Sequence, residues 1–246
     1  MSAVVAGFGT WFAPLSAFVG AYLAGSIPFA YLIVKAVTGE DITTHGTGNV
    51  GSMNVRRTTG SWGWFAVAVL GDGFKGLLPT LAAKAWGTGE PAWSIQTLMP
   101  WAQALDSATG IWWHQPLMWV PMAAVAGSVL GHNYSAWMAA IEHRFTRTGK
   151  GLATGAGAML AYDWRYFVTV LIVGLTVIAI TRYLMAGQVA AAATLPIASW
   201  VLGSPDWPFA LAMGALVYAA HHRRFMGMLA GKEPKLYIRD ESGPRG

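Results

Sequence analysis

The chain has 246 residues, of which 54% are hydrophobic, 13% aromatic and 11% charged, whereas about a quarter of the residues in a soluble domain carry charge. So few charges cannot cover a soluble surface, and the apolar residues gather in runs near the roughly 20 that cross a hydrocarbon core, which describes one membrane helix bundle. The absence of cysteine excludes disulfides, thiol nucleophiles and thiolate metal sites, and a formal charge of +5 scattered near apolar segments suits anionic lipid or phosphorylated substrates better than nucleic acid.

The first lysine is Lys35, so the amino terminus lacks the basic region of a cleaved signal peptide, and its apolar stretch is read as a retained membrane helix. Apolar runs predict spans at 13–37, 62–86, 116–139, 151–163, 164–186, 188–203 and 206–222. The fourth is short and Gly-rich, which suits a half-span or a helix lining a cavity. Thirteen Trp, eight Tyr and ten Phe fit span ends placed in the interfacial belts. The fold class is therefore all-α: a polytopic bundle of about seven transmembrane helices, one domain over 1–232 with a polar tail over 233–246.

Seven spans put the termini on opposite sides, and the basic residues choose between the two orientations. With the amino terminus outside and the carboxyl terminus cytoplasmic, the inner side holds Lys35, Arg56, Arg57, Arg144, Arg147, Lys150, Arg182, Arg223, Arg224, Lys232, Lys235, Arg239 and Arg245, against Lys84 and Arg165 outside. The outer loop 87–115 is Trp- and Pro-rich and reads as an element lying against the interface.

The first inner loop, Gly39 to Gly60, reads GEDITTHGTGNVGSMNVRRTTG. Such a segment suits phosphate: glycine lets backbone N–H groups close on an anion, Thr and Asn add donors, and Arg56 and Arg57 bring planar charge. A flexible turn with positive-inside arginines is the plain alternative. Gly46, Gly48 and Gly51 spell the dinucleotide fingerprint, but a membrane helix rather than a strand precedes it, so a nicotinamide domain is not expected. Asp72 and Lys75, three residues apart in the second span, share a helix face and can pair, as a structural clip or a cavity wall. A second inner cluster runs from Gly131, His132 and Asn133 to Arg147, Gly149, Lys150 and Gly151, and a third from His221 to Glu233. The positive-inside rule alone requires no His, Asn or Gly at any of them.

These segments together resemble the bacterial acyl-phosphate:glycerol-3-phosphate acyltransferases. The likeness runs from GSIPFAYLI at Gly25 through GTGNVGSMNVRRTTG at Gly46 to DGFKGLLP at Asp72, then through Gly131-His132 and TGKGLATG at Thr148, and ends in HHRR and GKE between His221 and Glu233. The resemblance implies transfer of a fatty acyl group from acyl phosphate to glycerol 3-phosphate at the bacterial cytoplasmic (inner) membrane. The products are lysophosphatidic acid for phospholipid synthesis and inorganic phosphate, with membrane lipids as neighbours and no cofactor or metal. Carried over by position, it implies His221, Thr47 and Arg57 as catalytic residues and Gly48, Asn49, Gly51, Asn54, His132, Arg147, Gly149, Lys150 and Gly151 as substrate-binding. His132 and Glu233 could equally serve architecture.

Three positions depart from the family pattern: Thr47 for the usual Ser, Arg147 for Lys, and Arg224 for Asn. They motivate an alternative, a noncatalytic or substrate-drifted homologue that binds a phosphorylated lipid precursor. The His-x4-Asp signature of acyltransferases that use thioesters follows none of the histidines. A transporter would need a polar path across the bilayer, and the outer halves of the spans are nearly uncharged.

Overall fold

The computed structural model describes residues 3–46, 48–88, 119–204 and 206–232, and every regular element among them is a helix. In chain order these are α1 (Ala3–Gly25), α2 (Phe29–Thr38), a 3-10 turn (Ile42–Thr44), α3 (Ser52–Thr59), α4 (Trp62–Thr88), α5 (Trp119–Asn133), α6 (Ala136–Glu142), α7 (Leu152–Tyr162), α8 (Trp164–Thr181), α9 (Leu184–Val201) and α10 (Trp207–Leu229). Thr47, most of the Trp-rich outer loop, Pro205 and the 233–246 tail with Glu233 lie outside the described residues. Among the described residues, four stretches are long and apolar enough to cross a membrane: Trp11–Thr38, Trp62–Gly87, Trp164–Thr181 and Leu184–Val201. The chain falls into two compact units, Met1–Phe167 and Val168–Gly246.

In the first unit, α1 packs on α5 through Gly127 and Gly131, whose missing side chains let the α1 backbone approach: a Cβ on either would collide with the carbonyl of Phe18 or Tyr22. Small residues spaced by four are how helices gain contact where lipid competes equally for apolar surface. Ala21, Ala83, Val120 and Ala124 fill the seam among α1, α4 and α5.

The first expected span is broken. Gly25 and Pro28 end α1, because proline donates no N–H and steers the residue before it away from helix. Side chains from elsewhere take up the exposed carbonyls: Trp137 Nε1 donates to Leu23 O at 3.1 Å, the Ser135 hydroxyl donates to Ser26 O, and Lys75 Nζ donates to Ile27 O at 2.9 Å. The third expected span is interrupted in the same way, since α5 stops at Asn133 and Ser135 caps a new helix by accepting from Met138 N at 3.1 Å. The short fourth helix is as expected, and Lys84 is buried and donates to its last carbonyls, Ala161 O at 2.7 Å and Tyr162 O at 2.9 Å. Boundaries also move in the second unit. α8 ends at Thr181, before Arg182 with φ 63°, and α10 continues to Leu229, so the His-His-Arg-Arg run is helical.

Candidate functional site

The segment 39–60, read from sequence as a loop, folds into a 3-10 turn and helix α3 above a small core of Ala30, Val34, Ile42, Val50, Val55, Ala68 and Met138. Its shape is set from within. Asp41 accepts from Thr43 N at 2.9 Å and from the Thr43 hydroxyl at 2.8 Å, which starts the 3-10 turn. Asn54, 2% exposed, reaches back from α3 and donates its amide to Ile42 O at 3.1 Å, His45 O at 2.9 Å and Asn49 O at 3.1 Å. Its side chain therefore holds the loop, whereas the resemblance had assigned it to substrate.

Gly46 and Gly48 have φ of 56° and 67°, a conformation that a side chain resists. A Cβ on Gly48 would also come to 3.0 Å from Thr43 O, and one on Gly46 to 3.5 Å from Cδ of Arg57. The Arg57 side chain thus passes over the glycine turn. Arg57 is exposed, while its neighbour Arg56 lies over the Trp62 ring, 4.0 Å from the centroid. Of the two arginines, Arg57 is the one turned toward the loop. Asn49 and Gly51 complete the turn at the start of α3, where Gly51 occupies the cap position and makes no side-chain cap bond.

The second cluster is built differently. Thr148 N donates to Asn133 O at 2.8 Å, its hydroxyl donates to His132 O at 2.9 Å, and Ser135 N donates to that hydroxyl at 3.3 Å. One buried threonine thereby fastens the segment to the end of α5 and the start of α6. Its own carbonyl then accepts from Val50 N at 3.0 Å, which joins the second segment to the first. Nothing in the sequence marked Val50 or Thr148 as a junction, because backbone pairing leaves no residue signature there.

Beyond Thr148, Gly149 lies against the buried His132 ring, Lys150 is half-buried, and Gly151, with φ 72°, opens α7. Arg147 is exposed, and its Nε donates to Gly149 O at 3.0 Å. The structure therefore gathers Gly48, Asn49, Gly51 and Arg57 beside Arg147, Gly149, Lys150 and Gly151, with His132 beneath the second segment.

Apart from Asn49, the residues gathered from the two turns are cationic or glycine, and backbone amides and guanidinium groups of this kind can hold an anion. His221 belongs to the second unit: on α10 it is buried, and Nδ1 lies 2.8 Å from Val217 O. A carbonyl can only accept, so Nδ1 carries the proton there. Arg223 and Arg224 are exposed on the same helix. In the first unit an apolar groove of about 490 Å³ runs between α1 and α4, lined by Ala17, Gly20, Ala21, Phe74 and Leu78 and ending at Ile27 and Lys75.

A family model described as glycerol-3-phosphate acyltransferase matches residues 15–231. The chain belongs to the glycerol-3-phosphate acyltransferase family. Among similar family members, a glycerol-3-phosphate acyltransferase of Synechococcus sp. (strain JA-3-3Ab) is 35% identical over 228 residues, covering 92% of this chain and 95% of the relative. One from Thermus thermophilus is 32% identical over 224 residues, covering 90% and 94%. Among solved structures, PlsY (YgiH), an integral membrane glycerol 3-phosphate acyltransferase, is similar in its glycerol 3-phosphate form, with TM-score 0.67, 27% identity and coverage of 91% and 96%. Its lysophosphatidic acid form gives TM-score 0.66 and 26% identity, with coverage of 91% and 95%. The two joined segments of this chain fall inside the matched span, as does His221.

Proposed function

We propose that this chain acylates glycerol 3-phosphate with acyl phosphate as donor, releasing lysophosphatidic acid and inorganic phosphate at the cytoplasmic face of a bacterial inner membrane. In this reading one transmembrane domain over 1–232 crosses the bilayer about seven times, with the amino terminus outside and the 233–246 tail inside. The observation that carries it is the Val50–Thr148 bond, because it puts two glycine- and cation-bearing turns side by side, as a reaction between two phosphorylated molecules requires.

An acyl phosphate is a mixed anhydride with a good leaving group, so positioning and charge neutralisation do most of the work. The glycerol hydroxyl oxygen attacks the acyl carbonyl carbon. The carbon–oxygen bond to phosphate breaks, the phosphate leaves with that bond's electrons, and the hydroxyl proton passes to a phosphate oxygen or to His221. Arg57 and Arg147 hold phosphate oxygens, as does Thr47 through its hydroxyl. Gly48, Asn49, Gly51, Gly149, Lys150 and Gly151 shape and line the two turns. The groove between α1 and α4 is apolar and ends beside Lys75, one ion pair away from His132, which suits the hydrocarbon chain of donor and product.

The test is purified protein in detergent supplied with palmitoyl phosphate and glycerol 3-phosphate, assayed for lysophosphatidic acid against a heat-killed control. Arg57→Ala should lower turnover at least about a hundredfold, the scale of one lost charge contact in a transition state, with an unchanged melting curve. Binding of either substrate by wild type without product would leave a noncatalytic homologue, and wild-type turnover in Arg57→Ala would remove the role given to that residue.

A further inference from the structure

Three ionisable side chains that the reaction does not use meet inside the first unit. Asp72 and Lys75 come from α4 and His132 from the end of α5, and they are 3%, 6% and 8% exposed. Asp72 Oδ1 lies 2.9 Å from Lys75 Nζ and 3.6 Å from His132 Nδ1. Lys75 has a second partner in Ile27 O, at the break between α1 and α2. On its far edge the imidazole presents Nε2 and Cδ2 to Gly149, where a Cβ would collide with both atoms and, less severely, come to 2.9 Å from His132 O. The same residue's carbonyl receives the Thr148 hydroxyl.

An ion pair that only clips α4 needs two members, and charges kept within a membrane segment are expensive enough to demand a reason. Here the pair reaches in two directions. Through Ile27 it holds the break from which α2 leads into the first turn, and through His132 it backs the second turn. Because Gly149 has no side chain, the imidazole limits how closely the chain approaches α5 at the start of the turn, while Asn133 and Val129 bound it at Gly151.

We propose that Asp72, Lys75 and His132 are positioning residues: the ion pair orients the imidazole, and the imidazole sets the path of the Gly149–Gly151 turn. None of the three holds a phosphate or a reacting atom in this reading; Lys75 only borders the end of the apolar groove. This inference rests on the reading that the two turns hold phosphate groups, and it locates the rigid point to which both are referenced.

The steric relation supplies the test. The full chain in detergent is assayed for kcat and for KM toward both substrates as wild type, His132→Ala, Gly149→Ala and their double variant, with melting curves for each. Gly149→Ala drives a methyl into the ring and should lower kcat/KM about a hundredfold; with the ring removed, the same substitution should cost about tenfold or less, a coupling within the range of contacting residues. Melting shifts of the two single variants should couple as well, so every assay is run well below the lowest midpoint and the kinetic constants report on folded protein. Removing both charges together, Asp72→Asn with Lys75→Met, should raise KM as His132→Ala does and leave the bundle folded. If His132→Ala does not fold, His132→Asn replaces it, since it keeps a polar group toward Asp72 while drawing back from Gly149.

Kinetic losses that multiply, or variants that shift only the melting curve, overturn the proposal. Its fate is separable from that of the reaction: Arg57→Ala with wild-type kcat and wild-type KM for both substrates sinks the phosphate reading, whereas the 132–149 coupling is judged in whichever kinetic constant Gly149→Ala changes.

Discussion

The two turns that meet at Val50 and Thr148 are both glycine-bearing and cationic, yet they are held in opposite ways. The 39–51 segment is held by its own neighbourhood: Asp41 from within it and Asn54 from the first turn of the helix that follows bond its backbone. The 145–151 segment has a slighter frame of its own, with Arg147 Nε donating to Gly149 O. It is fastened through Thr148 to Asn133, His132 and Ser135 and backed by a histidine from another helix. A turn of the first kind keeps its shape if its neighbours shift, while one of the second kind moves with them.

The largest effect should therefore come from removing the internal frame. Asn54→Ala leaves the carbonyls of Ile42, His45 and Asn49 without that amide, in a place where Asn54 itself is buried. Each carbonyl keeps a backbone N–H, from His45, Gly48 and Gly51, so what is lost is three hydrogen bonds at about 1 kcal/mol each, an expected total of about 3 kcal/mol. The thermal midpoint should fall and activity should be lost with it. Asn54→Asp, which keeps the shape but loses the donors, should fail equally; normal activity in either variant would show that the loop does not depend on this amide.

The same contrast explains what could be read from sequence. Membrane class, the helical fold, the short Gly-rich fourth helix and the three polar clusters follow from hydropathy, residue type and spacing, which are local properties. The Asp72–Lys75 pair was legible because both residues lie on one helix face. Its third member was not, because His132 comes from a helix distant in sequence and the imidazole meets Asp72 only after α4 and α5 pack.

The breaks at Gly25–Pro28 and at Tyr134–Ser135 lay inside apolar runs that hydropathy joins into single spans. What ends the helices there is a set of side chains, Ser135, Trp137, Lys75 and Thr148, that capture carbonyls from a distance. The burial of Lys84 was not legible for a related reason: its partners, the last carbonyls of α7, come from a helix distant in sequence.

Breaking the external frame of the second turn should cost less. Thr148→Val keeps the β-branched shape and the backbone bonds to Val50 and Asn133, and it removes only the hydroxyl that donates to His132 O and accepts from Ser135 N. Two buried groups lose a partner at about 1 kcal/mol each, so a loss near 2 kcal/mol is expected, together with a fall in kcat/KM of about tenfold as the turn slides on α5. Thr148→Ser should restore both. A Ser variant as impaired as Val would mean that packing of the methyl group, and not the hydroxyl, fastens the turn.

The smallest effect belongs to Asp41, which begins the first turn. The backbone N–H of Thr43 beside it holds its carboxyl below the usual aspartate value, helped by the Thr43 hydroxyl and by the charges of Lys35 and His45, against a modest opposing effect of burial. A carboxyl with a depressed folded-state pKa contributes stability that is fully present above its unfolded value, about 3.9, and is lost as pH falls through the folded one. Between pH 5 and 8 melting should thus be indifferent to this group's titration. Asp41→Asn keeps an oxygen for Thr43 and should cost only a few tenths of a kcal/mol at neutral pH, against about 1 kcal/mol for Asp41→Ala, the usual scale of a lost cap. The difference between wild type and Asp41→Asn should shrink as the solution is acidified toward pH 3, because the protonated carboxyl is then as neutral as the amide. A gap that widens on acidification would mean that the ionised form is not what holds the turn, and an Ala variant costing several kcal/mol would show that the first turn has less internal support than the Asn54 bonds give it.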